Sequence, residues 1–317
     1  MTLAVLLSGQ GGQHPGMFDL TADWPAAAPV FAAAERLLGR DPRDLVRAPG
    51  ADLPGADLPG ADLHDNRTGQ ILCCVAALAG WTVVEAARPA RVVVAGYSIG
   101  DLAAWGCAGR FDVETILRLA AARAEVMDAA GGEGFGLAGL RGLPLARIER
   151  LAERHGCHLA IRNAADSAVV GGARAALEAL CTEARAAGAL RAVILAVRTP
   201  SHTPLLAQAS RRFDDILRRE TPQRPKPGAP RLISGLDGAP VFDTEAGLAK
   251  LTRQIAHTID WAACLEACRE FGSDTVLELG PGHALSTMAR DLTPQWRVHA
   301  LDEFRSAAGA VAWIGSA

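Results

Sequence analysis

The chain has 317 residues, half of them apolar and 21% charged, enough to bury a sizeable core in one large domain or in one domain with an insertion. A net charge of −3 gives no electrostatic reason for a nucleic-acid or anionic-membrane partner. The seven cysteines are odd in number and scattered, several inside helical patterns (Cys181, Cys264, Cys268). They read as small buried hydrophobes of a reducing, cytoplasmic setting. Neither Cys73-Cys74 nor the Cys264/Cys268 pair has convincing metal spacing with histidine, and no metal site is expected. Met1 to Leu7 is apolar but short and lacks a basic stretch, so no signal peptide is expected, and no apolar run is expected to span a bilayer.

Leu3 to Leu7 is a buried-strand pattern, followed by the Gly-rich turn Ser8-Gly9-Gln10-Gly11-Gly12-Gln13. The turn brings backbone close to something, but no Gly-Lys-Ser/Thr follows, so it is not a nucleotide loop. Asp23 to Leu38 is an alanine-rich helical pattern with Pro25 near its first turn. Pro-Gly-Ala-Asp-Leu then repeats three times from Pro49 to Leu63, a surface-loop composition that tolerates variation in length. Thr68 to Ala87 is apolar over too long a stretch for a strand and predicts a buried helix.

The β-branched run Arg91 to Ala95 enters Gly96-Tyr97-Ser98-Ile99-Gly100 and continues as Asp101-Leu102-Ala103-Ala104-Trp105, a strand, sharp turn and helix. In that context G-x-S-x-G holds a serine at the tip of the turn, and the helix N-terminus beneath it stabilises negative charge. Without other features, the same pattern would serve as a packing turn whose serine only caps the helix. Asp112 caps the next helix, to about Ala130, with an apolar stripe of Val113, Ile116, Leu117, Ala120, Ala124 and Met127. Arg118 points away from the stripe, whereas Arg123 lies on its edge. A guanidinium there needs a carboxylate or phosphate, or must snorkel to water.

After the hinge-like Gly131-Gly132-Glu133-Gly134 comes a compact module. Its pattern is strand Phe135–Leu140, helix Leu145–His155, strands His158–Arg162 and Ser167–Val170, helix Ala173–Ala187 and strand Leu190–Val197. That β-α-β-β-α-β order is the ferredoxin-like arrangement. It predicts a small subdomain at 132–197 inserted into a large α/β core of 1–131 and 198–317. His202, in Arg198-Thr199-Pro200-Ser201-His202, falls at the return to the core. Phe213 to Glu220 then reads as helix, Thr221 to Pro230 as a proline-rich loop and Leu232-Ile233 as a short strand. Gln254 to Arg269 reads as helix, and Val276 to Leu279 as a strand ending in Gly280-Pro281-Gly282-His283. Alternating strands and helices on both sides of the insertion predict a mainly parallel sheet of α/β-hydrolase-like type.

Taken together these motifs resemble the malonyl-CoA:acyl-carrier-protein transacylases over nearly the whole chain. The resemblance is carried by Gly9-Gln10-Gly11, Gly96-Tyr97-Ser98-Ile99-Gly100, Arg123, Pro200-Ser201-His202, Gln254 and Glu278-Leu279-Gly280-Pro281-Gly282, with the ferredoxin-like insertion between the arginine helix and the histidine. It implies that Ser98 attacks a thioester carbonyl while His202 takes and returns the proton, and that the N–H groups of Gln10 and Ile99 hold the oxyanion. It also implies that Arg123 pairs with the malonyl carboxylate, that the Gln254 backbone carbonyl orients His202, and that Asn163 is a secondary site residue. The implied donor is malonyl-CoA, a coenzyme A thioester, and the implied acceptor is the prosthetic-group thiol of an acyl-carrier protein, with no bound cofactor. Tyr97 and Asp101 stand where the family usually has His and Glu. These variants, with Gly-Gln-Gly-Gly-Gln-His-Pro-Gly-Met-Phe, look most like the epsilon subunit of biotin-independent malonate decarboxylase. The fatty-acid and polyketide transacylases are the nearest rivals. A serine hydrolase would instead use Ser98, Asp237 and His283 in that order. A non-catalytic scaffold would leave all these groups idle. His155, His158, His257 and His299 lie on or beside elements, and His14 and His64 lie in loops, all without partners at metal spacing.

Overall fold

The computed structural model describes residues 1–48, 62–132 and 134–316. Most of the Pro-Gly-Ala-Asp-Leu repeat, and Glu133 of the hinge-like break, lie outside the described residues.

Two sheets organise the chain. In order it forms β1 (Leu3–Leu7), α1 (Ala28–Leu38), α2 (Pro42–Val46), α3 (Asn66–Glu85), β2 (Val92–Gly96), α4 (Ile99–Cys107) and α5 (Val113–Gly131). Next come β3 (Phe135–Arg141), α6 (Leu145–Arg154), β4 (His158–Ala164), β5 (Ser167–Ala173), α7 (Arg174–Ala186) and β6 (Arg191–Ile194). The rest is α8 (Ala207–Leu217), β7 (Arg231–Ile233), α9 (Thr244–Arg253), β8 (Ile259–Asp260), α10 (Trp261–Glu270), β9 (Thr275–Leu279), α11 (Ala284–Leu292), β10 (Arg297–Ala300) and α12 (Ala307–Gly315).

The first sheet, ordered β10-β9-β1-β2-β7, is parallel throughout. Every residue of β1, β2 and β9 is buried, as strands covered by helices on both faces must be. The chain leaves β1 for β2 on one side and later returns to β9 on the other. The strand order thus reverses between β1 and β9, and the loops at the carboxyl ends of the strands there border the usual ligand position in open α/β sheets. The second sheet, ordered β6-β3-β5-β4-β8, is antiparallel except where β8 joins β4 in parallel. Its first four strands have the ferredoxin-like order, as the sequence pattern predicts. β8 comes from the later part of the chain and stitches this sheet to the rest.

Three expectations are corrected. Gln254 to Arg269 is not one helix: Gln254 caps the end of α9, β8 interrupts, and the Asp260 carboxylate starts α10 by accepting from the Ala263 N–H at 3.1 Å. The Ile259 backbone is taken up by β4, which a helix could not supply. The helix predicted at Phe213–Glu220 begins earlier and is α8, whose buried side chains are only Ala209, Phe213 and Leu217. Finally, α3 is long and apolar enough to cross a membrane by length and composition, contrary to the expectation that no run is. In the structure 83% of its most apolar window is buried inside the protein.

Candidate active site

Ser98 occupies the turn between β2 and α4 with φ 57° and ψ −119°. This is a conformation an L-residue adopts only under constraint, at roughly 1–3 kcal/mol. The two flanking glycines create the constraint. A Cβ on Gly96 would run into the backbone of Gly100 and Asp101, and one on Gly100 into the Leu7 carbonyl. The same closeness brings in the loop after β1: a Cβ on Gly9 would sit 2.9 Å from the Tyr97 carbonyl oxygen and 3.5 Å from the Ser98 Cβ. Ile99 is the first residue of α4, so its N–H has no intrahelical acceptor. Gly100 and Asp101 donate back to the Tyr97 and Ser98 carbonyls at 3.0 Å each. Gln10 follows Gly9 in the loop facing that turn, and the Gln13 side chain shapes the loop by accepting from the Gly11 N–H at 2.5 Å.

His202 is the only other non-glycine residue with positive φ among the described residues, at 63°. Its Nε2 lies 2.7 Å from Ser98 Oγ, and its Nδ1 lies 2.5 Å from the Gln254 carbonyl oxygen. A carbonyl only accepts, so Nδ1 carries the hydrogen and Nε2 presents its lone pair to the serine hydroxyl. Burial pushes the imidazole pKa down to about 3, the positive charge of Arg123 pushes the same way, and the Gln254 carbonyl opposes both. The imidazole is therefore neutral at ordinary pH, the form in which it can accept a proton.

Gln254 contributes its side chain too. Its Nε2 donates to Asp101 Oδ2 at 2.9 Å, tying the end of α9 to the first turn of α4. Both residues are fully buried. Burial raises the Asp101 carboxyl to about 7, against the Gly235 backbone, the Arg123 charge and the Gln254 amide, which all lower it.

Arg123 reaches inward from α5 and is 1% exposed. Its Nη1 donates to Gln70 Oε1 at 2.7 Å, while its Nη2 is buried with no hydrogen-bond partner among the described residues. Burial lowers this guanidinium to about 10, with Cys74 and Asp101 acting in the opposite direction. No carboxylate of the described residues forms an ion pair with it, so neither snorkelling nor an internal acid provides its partner. An enclosed cationic donor with one edge unfilled is suited to an anionic group that arrives with a ligand.

Asn163, on β4, accepts from the Tyr97 hydroxyl at 3.2 Å, and the Tyr97 ring meets Trp261 edge-on at 5.3 Å between centroids. A cleft of about 680 Å³ opens beside Gln10, lined also by Asn66, Asp128, Phe135, Arg174 and Arg198. The sequence does not single out Gln70 or Asn66. The available sign was a glutamine inside an otherwise apolar helical stretch. The hydrolase constellation is not assembled: Asp237 pairs with Lys250 at 2.7 Å, His283 is an exposed residue at the start of α11, and Ser98 touches His202. Glu278 is structural, accepting from Ser8 Oγ at 2.7 Å and from the Leu285 and Ser286 N–H groups at 3.1 and 2.6 Å.

An α/β sheet carrying a serine on a strained strand–turn–helix, a neutral histidine against it and an unfilled cationic donor is an arrangement suited to acyl transfer. The comparisons agree. No family model matches the chain. The malonyl CoA-acyl carrier protein transacylase of Escherichia coli K12 is 28% identical over 320 residues, 97% of this chain and 98% of that protein. The transacylase of Mycobacterium bovis is 29% identical over 294 residues, 91% of this chain and 92% of that one. Among solved structures, the acyl-carrier-protein S-malonyltransferase of Burkholderia pseudomallei 1710b superposes with a TM-score of 0.87 at 26% identity, covering 98% of this chain and all of that one. A malonyl-transacylase solved with its type II polyketide synthase acyl-carrier protein gives 0.88 at 27% identity, covering 98% and 99%. The chain is thus similar over its whole length to malonyl-CoA–acyl carrier protein transacylases and shares their fold.

Proposed function

We propose that this enzyme is a malonyl-CoA:acyl-carrier-protein S-malonyltransferase that works through a malonyl ester of Ser98. The observation that carries the reading is the pairing of a Ser98–His202 dyad with a buried Arg123 whose Nη2 has no partner among the described residues. His202 Nε2 takes the Ser98 proton as the hydroxyl oxygen bonds to the thioester carbonyl carbon. The carbonyl oxygen becomes an oxyanion, held by the N–H groups of Gln10 and Ile99. Collapse breaks the C–S bond, and His202 returns the proton to the departing coenzyme A thiolate. The carrier's thiol then repeats the sequence in reverse, losing its proton to His202 and releasing Ser98. The Gln254 carbonyl favours the imidazolium formed in each half-reaction. Arg123 takes the free carboxylate, which acetyl lacks.

The acceptor is a carrier protein in this reading. Whole-length likeness to transacylases, one of them solved with its carrier, supports a fatty-acid or polyketide carrier better than any other. The narrower reading, the carrier subunit of a biotin-independent malonate decarboxylase, rests only on the Gly-Gln-Gly-Gly-Gln and Gly-Tyr-Ser-Ile-Gly stretches.

Intact-protein mass after brief exposure to malonyl-CoA or acetyl-CoA tests the chemistry. The expected result is a malonyl adduct on the wild type, none on Ser98→Ala, and a selective loss of the malonyl adduct in Arg123→Ala. Rapid release of thiol and malonate without an adduct would favour a hydrolase. Incubating the malonyl-enzyme with each class of carrier then separates the fatty-acid, polyketide and decarboxylase readings.

A further inference from the structure

Arg123 keeps one edge free because Gln70 presents its oxygen to the other. The guanidinium only donates, so it calls for the amide oxygen, and the Gln70 NH₂ has to be held on the opposite side. Gln70 Nε2 donates to Asn66 Oδ1 at 2.8 Å, one turn earlier on α3. Asn66 Nδ2 in turn donates to Asp128 Oδ1 at 2.7 Å and to the Ala124 carbonyl at 3.3 Å, both on α5. A carboxylate and a carbonyl only accept, so together they hold the Asn66 NH₂ toward α5 and its oxygen toward Gln70. Gln70 must then give its NH₂ to Asn66 and its oxygen to Arg123. Each amide is pointed by the one before it, and the direction originates at the Ala124 carbonyl and, by the shorter bond, at Asp128, an exposed residue at the cleft. Asn66 also accepts, through its backbone carbonyl, from Gln10 Nε2 at 3.4 Å.

We propose that Asn66, oriented by Asp128, is a specificity-determining positioning residue: it holds the Gln70 oxygen on Arg123 Nη1 and so reserves Nη2 for the acyl carboxylate. This rests on the assignment of that carboxylate to Arg123. Without Asn66 the Gln70 NH₂ keeps only its weak contact to Met127 Sδ at 3.6 Å, and the loosened amide swings its oxygen across the free edge of Arg123. That weakens binding of a carboxylate-bearing acyl group, while acetyl transfer has no use for that edge.

The test is kcat/KM for acyl-enzyme formation from malonyl-CoA and from acetyl-CoA, on wild type, Asn66→Ala, Asp128→Leu, Asp128→Asn and Arg123→Ala. Asn66→Ala should lower the malonyl-to-acetyl ratio about tenfold, the scale of one lost hydrogen bond to a charged group, mainly through a higher KM for malonyl-CoA. Asp128→Leu should lower it in the same direction, and Asp128→Asn, which keeps an acceptor oxygen, should hold it near wild type. A wild-type ratio in both Asn66→Ala and Asp128→Leu overturns the proposal, as does a parallel fall in both rates. If Asn66→Ala does not fold, Asp128→Leu decides alone, since that side chain is exposed. Arg123→Ala separates the two layers: an unchanged ratio there removes the carboxylate assignment and the proposal with it. Loss of preference there with wild-type ratios elsewhere removes the proposal only.

Discussion

Ser98 shows how a single residue can hold activity and stability in opposition. Its positive φ is imposed by the close approach of β1, β2 and α4, and glycine would relieve it. Ser98→Gly and Ser98→Ala should both abolish the acyl-enzyme. In denaturant unfolding Ser98→Gly should be about 1 kcal/mol more stable than Ser98→Ala, the released strain less the extra backbone entropy of glycine. Equal midpoints would show that the turn is unstrained. His202 supplies a pH prediction. Its pKa is depressed to about 3, so the base stays neutral, and competent, far below the 6.5 of a free imidazole. In kcat/KM for malonyl-CoA the acid limb should therefore lie well under pH 6, and the rate should be level from about pH 8 to 6. In Arg123→Ala the limb should move upward with acetyl-CoA as donor, because one of the charges disfavouring imidazolium is gone. A wild-type limb near pH 6.5 would mean that water reaches the ring.

At the scale of elements, what the sequence displays is whatever is enforced locally. β1 is predicted residue for residue, and the four strands and two helices of the ferredoxin-like module are all found, because short apolar runs and helical periodicities separated by turn residues state their own limits. Ser98 and His202 are likewise legible as motif residues. What is decided by a distant partner is not. The break at β8 exists because β4 needs a neighbour, and nothing in Ile255-Ala256-His257-Thr258 announces it. α8 starts at Ala207, and in the following Gln208-Ala209-Ser210-Arg211-Arg212 a single alanine is the buried face. The parts of the site that escaped the sequence follow the same rule. Gln70, Asn66 and Asp128 are separated by up to 62 positions and become a chain of hydrogen bonds only when α3 packs on α5. Asp101 could be seen to differ from its usual counterpart, but its bond to Gln254 spans 153 positions. Arg123 lies between these cases: periodicity puts it at the edge of a buried stripe, and only the fold shows that no acid among the described residues pairs with it.

At the scale of the whole molecule, the two sheets share a core as well as a cleft. One buried cluster takes Ala4, Leu6, Val93 and Ala95 from the parallel sheet and Leu137, Ala160, Ile161 and Val169 from the other, with Trp261 between them at 0% exposure. Polar ties follow the same junction, where Arg162 reaches Asp260 at 2.9 Å and Tyr97 donates to Asn163. A division into 132–197 and the remainder therefore describes chain topology, and the energetics run across it. The second sheet owns a further cluster against α6 and α7, built on Leu140, Ile148, Val170 and Leu180, which gives it the means to persist if the junction fails. The expected outcome for wild type is a single calorimetric transition whose van't Hoff and calorimetric enthalpies agree. Trp261→Ala empties the centre of the junction and should cost about 3–5 kcal/mol, the range for a large aromatic removed from a packed core. The loss should come through earlier unfolding of the whole chain if the junction governs cooperativity. If the amides of β3 and β5 instead keep their hydrogen-exchange protection while those of β1 and β2 lose theirs, the inserted sheet is an independent unit. Tyr97 and Asn163 would then belong to two bodies that move against each other rather than to one rigid frame.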